Sequence, residues 1–276
     1  MKKIIVIGLL FVSSIVITQS CKKTTPVVDN ETQSVVDNAL CEQQFMSIAP
    51  NVNSKGAGSP KNAGFKTTTT CGTWSISTPT TTQASDTATN AAGLYINGPA
   101  NFEINYLGCV DNDGIAKSGK ITLKSTHKWS MLTGTNTAVA TTTVAFGNYT
   151  VDGVVYDGTV VITKSVNSLT TKVIGGHCTN NSWNIYYDCD KTLTKNANGD
   201  FTISGSSSGT NREGRTFTTN ILTPLFKPAN YKFITSGTLE LTPNGFKTRT
   251  VDFGNGTLDD QATFTVDGQT FTFTMK

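Results

Sequence analysis

The segment 264–273, F-T-V-D-G-Q-T-F-T-F, contains the pattern that decides the fold. On both sides of its central Asp267-Gly268 pair, large apolar residues alternate with Thr. Alternation with a period of two is typical of a half-buried antiparallel strand. An Asp-Gly pair tolerates the positive φ angles that tight hairpin turns require. The segment therefore predicts two antiparallel strands joined by a short turn.

The same pattern recurs along most of the chain after residue 70. Four more segments alternate apolar with polar residues, and their apolar positions are Phe102, Ile104 and Tyr106; Ile121 and Leu123; Phe201 and Ile203; and Leu239 and Leu241. Eight Asn-Gly or Asp-Gly pairs, which begin at positions 97, 113, 152, 157, 198, 244, 255 and 267, mark turns. Thr accounts for 48 of the 276 residues and suits the solvent face of a strand. We therefore predict an all-β domain over residues 50–276, built from antiparallel hairpins as a sandwich or two packed sheets, with 50–176 and 177–276 as candidate halves.

A single helix is predicted ahead of the strands, over residues 31–49. Its apolar residues follow the three- and four-residue spacing of one helix face: Val35, Val36, Ala39, Leu40, Cys41, Phe45 and Ile48. Asn30 is suited to cap its start, and Pro50 is expected to end it. Because such a helix must bury its apolar face, we expect it to pack across one end of a sheet.

The first twenty residues have the organisation of a secretory signal peptide. Two Lys residues near the start are followed by a nearly unbroken apolar run from Ile4 to Ile17, and then by small or polar residues. This run is shorter than the roughly 20 residues that span a bilayer as a helix. We therefore predict a signal peptide over residues 1–20.

Cys21 follows the predicted signal peptide directly. A Cys at this place resembles the lipobox of bacterial lipoproteins, in which the thiol receives a diacylglycerol and the Cys becomes the new N-terminus. Thr18 stands where the usual lipobox has Leu. The resemblance implies lipidation of Cys21, a membrane contact through the lipid anchor, and a tether over residues 21–30. The alternative is an ordinary cleaved signal peptide.

The charge balance narrows the range of partners. The chain has 22 basic and 19 acidic residues, and removal of Lys2 and Lys3 with the signal peptide leaves 20 against 19. Without a basic stripe, a nucleic-acid partner is not expected. No acidic residue lies between Cys21 and Asp29. Surface-exported lipoproteins of Bacteroidota often carry acidic residues just after the lipidated Cys, so the resemblance to bacterial lipoproteins implies an outer-membrane location, with the periplasmic face favoured over the cell surface.

Several turn and strand motifs occur in a set order along residues 35–276. After the helix and Cys71 come G-C-V-D-N-D-G at 108–114, G-T-N-R at 209–212, S-G-T-L-E-L at 236–241 and R-T-V-D-F-G-N-G at 249–256. This order resembles a group of uncharacterised lipoproteins of Bacteroidota. The resemblance implies an exported β-rich domain and implies no particular activity. Asp86-Thr87-Ala88 also resembles the short O-glycosylation site of Bacteroidota proteins.

The cysteines of the mature chain suggest disulfides, since an exported protein is free to form them. Cys71 opens one predicted strand and Cys109 ends its expected neighbour, which favours a bridge between them. Cys178 with Cys189 is a second candidate pair, which leaves Cys41 on the helix unpaired. The connectivity stays open at the level of sequence.

Sequence patterns for catalysis or metal binding are weak. The segment 205–209 matches G-x-S-x-G, but that nucleophile motif needs a helix after it and a later His, and no His follows His177. His177-Cys178 and the segment 188–190 lack the paired ligand spacing of a zinc site. We therefore expect no catalytic residue, no metal and no cofactor.

Three hypotheses for function follow from these observations. The leading one is a lipid-anchored, non-catalytic envelope protein that binds or scaffolds an unknown protein or glycan. The second is a carrier in which the sheets curl into a barrel around a lipid or other apolar ligand. The third is an envelope glycan hydrolase with two carboxylates in a cleft. Aromatic residues that are candidates for stacking on sugars, though core positions are favoured for them, are Trp74, Trp129, Trp183, Tyr186 and Tyr187.

Overall fold

The structure is a computed structural model that describes residues 29, 31–57, 66–69, 72–77, 87–90, 93–96, 100–110, 115–125, 140–164, 168–229 and 231–275. The predicted signal peptide, Cys21, most of the tether and Cys71 lie outside these residues. Within the described ranges, no helix is both long enough and apolar enough to cross a membrane.

One helix and sixteen strands occur in the described ranges. The helix, α1, spans Gln33–Ala57. The strands are β1 (Lys66–Thr69), β2 (Gly72–Ser77), β3 (Thr87–Asn90), β4 (Gly93–Ile96), β5 (Ala100–Val110), β6 (Ala116–Ser125), β7 (Ala140–Val151), β8 (Val154–Lys164), β9 (Ser168–Asn180), β10 (Trp183–Lys195), β11 (Phe201–Thr210), β12 (Thr216–Lys227), β13 (Ser236–Pro243), β14 (Arg249–Asn255), β15 (Gln261–Val266) and β16 (Gln269–Thr274).

Fourteen of these strands form one antiparallel sheet. Its order is β1-β2-β5, followed by β6 to β16 in chain order, while β3 and β4 pair separately. The prediction of an all-β fold built from antiparallel hairpins is confirmed. The predicted boundary near residues 176 and 177 lies inside β9, which pairs with β8 and with β10 on either side of that position.

The alternating residues of the sequence form the inner face of the sheet. Ile104, Leu123, Ile203, Leu239 and Phe264 are all buried and belong to one apolar cluster. Their polar neighbours along each strand face outward, as the period of two requires. Burial of these side chains is the main source of stability for the hairpins.

Two of the predicted turns have the geometry expected from their residues. Asp152-Gly153 joins β7 to β8 and Asp267-Gly268 joins β15 to β16, with positive φ at all four residues. Asp157-Gly158 was also predicted as a turn, and this prediction is wrong. It lies inside β8, where the pairing with β9 shifts between Asp157 and Thr159, so the positive φ of Gly158 serves a β-bulge.

The sheet curves around α1. Phe146 of β7 and Tyr187 of β10 both contact Phe45 of α1, and Arg249 of β14 reaches the start of the same helix. Strands lie about 4.8 Å apart, so a flat sheet would place β7 and β14 about 34 Å apart, whereas Phe45 and Glu31 are only about 21 Å apart along the helix axis. Contacts from both strands therefore require a concave sheet with α1 along its inner face, rather than the helix across one end that we expected.

The helix also differs from its predicted bounds. It begins at Gln33 instead of residue 31 and extends to Ala57, past Pro50. Proline removes one backbone hydrogen bond and disfavours a helix interior, yet the helix continues for seven residues beyond Pro50. At the other end, the carboxylate of Glu31 accepts a hydrogen bond from the Ser34 backbone N–H at 2.9 Å, which caps the first turn.

Candidate functional site

The helix α1 is buried on nearly all sides, although many of its buried residues are polar. Between residues 33 and 48, only one stripe is half-buried rather than buried, at Gln33, Val36, Leu40, Gln44 and Ser47. The polar side chains on its buried faces are Ser34, Asp37, Asn38, Glu42 and Gln43. Buried polar groups need partners, so the inner face of the sheet must supply them.

The first turn of α1 is held by basic residues of the sheet. Arg249 is fully buried, and its Nε donates to the backbone carbonyl of Glu31 at 2.9 Å. The Glu31 carboxylate lies 3.4 Å from Arg249 and 3.5 Å from Arg215, and it accepts from Asn211 Nδ2 at 3.2 Å. An acid with several cationic and amide partners is compensated for its burial.

One turn further along, Asp37 is fully buried against Arg212. Arg212 Nε donates to Asp37 Oδ1 at 2.8 Å, and the Arg212 backbone N–H donates to Oδ2 at the same distance. The guanidinium group also lies 4.4 Å from the centre of the Trp183 ring. These contacts join α1 to the start of β10 and to the turn after β11.

At the middle of α1, Glu42 forms a buried cluster with β10. Its Oε1 lies 3.0 Å from Lys191 Nζ, and its Oε2 accepts a hydrogen bond from Tyr187 OH at 2.7 Å. Burial, followed by the charge of Glu42, raises the pKa of Tyr187 above its ordinary value. Ser207 extends the cluster, since its Oγ donates to Asn38 Oδ1 at 3.1 Å.

A cleft of about 500 Å³ follows the half-buried stripe of α1. Its apolar lining consists of Val36, Leu40, Val151, Val154, Tyr156, Trp183 and Met275, and its polar lining of Gln44, Asp152, Asn180, Arg212, Lys232 and Thr274. Val151 belongs to β7 and Thr274 to β16. Strands from distant parts of the sheet therefore line one cleft, again because the sheet curves around α1.

Comparisons of the chain with protein-family models, with curated proteins and with solved structures found no match.

The structure corrects the second predicted disulfide. Cys178 and Cys189 are both free and buried. Cys178 pairs with Ile185 in the ladder between β9 and β10, whereas Cys189 pairs with Val173, so the two thiols lie well apart along the strands. Cys178 Sγ instead lies 2.9 Å from Sγ of Cys41, which we expected to be unpaired. The favoured pair of Cys71 with Cys109 stays a prediction, because Cys71 lies outside the described residues.

Several candidate catalytic, metal-binding and sugar-stacking residues lie in strands of the sheet. Ser207 of the G-x-S-x-G segment is buried within β11, a strand, so the nucleophile turn is not formed. His177 stacks on Tyr186, which is exposed on the outer face, while Tyr187 is in the core. In the part of the chain that the structure describes, no three His, Cys, Asp or Glu residues come together as a metal site.

Sequence reasoning missed the buried charges, although a signal for them is present. Lys191 occupies an inward position of β10, between Cys189 and Leu193, and Arg249 occupies an inward position of β14, in line with Val251. A basic residue at a core-facing position needs an acidic partner. The acids of the predicted helix, Glu31, Asp37 and Glu42, were the available partners. Because inward basic residues need acids beside them, these acids indicate that the helix packs against the inner face of the sheet.

Proposed function

We propose that this protein is an exported, lipid-anchored binding protein of the cell envelope, which holds a small amphipathic ligand in the cleft along α1. The cleft itself carries the proposal. Its volume of about 500 Å³ falls in the range of small-molecule sites, and its lining combines an apolar wall with a few polar groups.

The walls of this cleft are suited to a preformed site. One wall is α1, which is tied to the sheet through the Glu42–Lys191 and Asp37–Arg212 ion pairs. A binding site on rigid elements loses little freedom when its ligand enters, and this supports affinity. The arrangement favours binding over scaffolding, because a scaffold needs no enclosed space.

The residues at the two sides of the cleft indicate the ligand class. Val36 and Leu40 of α1 and Tyr156 of β8 form an apolar strip. Lys232 and Asp152 bring one charge of each sign to the same cleft, while Arg212, which also lines it, is paired with Asp37. A ligand with an apolar body and a polar or zwitterionic group matches this lining, which supports the carrier hypothesis over the glycan hydrolase.

Binding of a fluorescent fatty acid to the purified domain tests this proposal. We expect saturable binding to the wild-type protein and at least tenfold weaker binding to Leu40→Arg, because the long cationic side chain fills the apolar strip. Leu258→Arg is the matched control, since Leu258 is 61% exposed and does not line the cleft. Equal binding by the two variants, or no binding to the wild type, would refute the ligand site.

The anchor is tested separately. We expect the mature N-terminal peptide to carry fatty acids by mass spectrometry and Cys21→Ser to move the protein from the membrane to the soluble fraction. For the periplasmic face of the outer membrane, the wild-type protein should resist protease added to intact cells. Membrane retention of Cys21→Ser would argue against a lipid anchor and would leave the cleft proposal standing.

A further inference from the structure

Two thiols from distant parts of the chain meet in the core. Cys41 Sγ of α1 and Cys178 Sγ of β9 lie 2.9 Å apart, although 137 positions separate them in the sequence. Both residues are completely buried. The contact lies at the middle of α1, one turn before Phe45 and next to Glu42 on the helix.

The surroundings of this contact are mostly apolar. In the sheet, Cys178 is flanked by Tyr156 of β8 and Ile185 of β10, and both are buried. Burial raises the pKa of the Cys41 thiol well above its ordinary value, and the hydrogen bond with Cys178 adds to the effect. The folded protein therefore holds the Cys41 thiol neutral and away from water, where it is a poor nucleophile.

We propose that Cys41 and Cys178 are joined by a disulfide in the mature protein, which covalently links α1 to β9. The sulfur atoms need to approach by less than 1 Å to reach the S–S bond length of about 2.05 Å. Small movements of the two side chains supply this, because the thiols already face one another.

The bond forms by thiol–disulfide exchange with an external disulfide, either a disulfide oxidoreductase or oxidised glutathione. The thiolate of one cysteine attacks the external S–S bond, which breaks and releases one thiol. The second thiolate then attacks the mixed disulfide, forming the Cys41–Cys178 bond and releasing the second external thiol. The two cysteines lose two protons and two electrons, and the external disulfide gains them.

The burial of both sulfurs sets the order of events. In the folded protein an external disulfide cannot reach Cys41, so exchange occurs while the chain folds and before α1 is seated in the sheet. After folding, the same burial protects the bond from reductants. In the cell, oxidation of the two thiols rests on the proposed export, because disulfides form in oxidising compartments. Refolding with glutathione in vitro does not depend on export. Failure of the disulfide can therefore be distinguished from failure of the proposed export.

Peptide mapping of the refolded mature domain tests the proposal. The protein is refolded with oxidised and reduced glutathione, unfolded, alkylated without reduction and digested. We expect the Cys41 peptide to be linked to the Cys178 peptide, while Cys189, also buried and free, is alkylated. Alkylation of both Cys41 and Cys178 would overturn the proposal, as would a link from either of them to another cysteine.

A thermal measurement provides the second test. A disulfide that closes a loop of this length raises Tm by about 5–15 °C. We expect wild-type protein refolded under oxidising conditions to melt higher by this amount than protein refolded with reductant. Cys189→Ala should keep the difference in Tm between the oxidised and reduced proteins. Cys41→Ala should lose the part of this difference that the Cys41–Cys178 disulfide contributes. Oxidised and reduced wild-type proteins with the same Tm would contradict the inference without any variant.

Discussion

Glu42 Oε1 of α1 and Lys191 Nζ of β10 lie 3.0 Å apart, and neither side chain is exposed to solvent. This ion pair fastens the middle of the helix to the inner face of the sheet. Each charge compensates the other in a place where water cannot, although these two atoms do not form a hydrogen bond with each other. Together with the Asp37–Arg212 pair, the contact helps to hold α1, which forms one wall of the cleft.

Removal of one member of this pair should be strongly destabilising. Glu42→Gln leaves the Lys191 charge buried without an anion. Lys191→Met leaves the Glu42 carboxylate buried without a cation. We expect each variant to lower the free energy of unfolding by about 3–5 kcal/mol, measured with urea, and the double variant to lose less than the sum.

An exposed ion pair of the same sheet provides the control for this comparison of single and double variants. Lys172 and Asp190 lie 2.8 Å apart, but both side chains are more than half exposed. Lys172→Met should therefore lower stability far less than either of the two core variants. Strict additivity of the Glu42 and Lys191 variants would show that the two charges act independently.

Gly205 should tolerate no side chain. It lies in β11 with φ of +119°, and a Cβ added there would stand 2.2 Å from the backbone oxygen of Asp190 on β10. We expect Gly205→Ala to lower the free energy of unfolding by about 3 kcal/mol. Gly245→Ala is the matched control, because Gly245 also has positive φ but open space around it, and it should lose about 1 kcal/mol. Equal losses would mean that the close approach of β10 is unimportant.

Lys227 should make stability depend on pH above neutrality. Burial lowers the pKa of its ammonium group to about 8 in the folded protein, whereas the unfolded value is about 10.4. Between these values the unfolded chain binds more protons than the folded one, so the free energy of unfolding rises with pH. Below pH 8 both states are charged and the gain is absent.

Urea unfolding at pH 7.5 to 9.5 checks this slope. The wild type should become more stable across this range, and Lys227→Met should remove the increase. Lys232→Met serves as the control, because Lys232 lies five residues after Lys227, in the connection between β12 and β13. A wild-type stability that falls or stays flat over the range would contradict the expected burial of Lys227.

Tyr187 should resist ionisation in the folded protein. Because burial raises its pKa above the ordinary value of about 10, the folded state keeps the proton that the unfolded state releases. Stability should therefore fall as the pH rises above 10, with the phenol ionising only on unfolding. An absorbance titration run beside circular dichroism checks this, and Tyr187→Phe should reduce the alkaline fall. Ionisation of all seven tyrosines before unfolding would contradict it.

The strands could be predicted from sequence because their signal is local. Alternation in the segment 264–273 and its Asp267-Gly268 turn need only neighbouring residues to be read, and β15 and β16 follow them closely. The same local reasoning failed at Asp157-Gly158, because an Asp-Gly pair suits a bulge as well as a turn. Only the pairing partner β9 distinguishes these two uses.

The candidate site could be predicted only in part. Lys191 and Arg249 were visible as basic residues at inward positions, but their partners were not. Tyr187 and Glu42 are 145 positions apart in the chain, and no local pattern joins them. The same holds for Cys41 and Cys178, whose contact replaces the bridge that the sequence suggested between Cys178 and Cys189.

The sequence by itself determined that the chain forms antiparallel hairpins, because the period of two and the turn residues act over a few positions. The tertiary structure alone decided that the sheet wraps around α1 and which acids meet which bases. That outcome depends on the summed curvature of many strands and on the need to neutralise every buried charge. Neither the curvature of the sheet nor the pairing of buried charges can be read from a single segment of the chain.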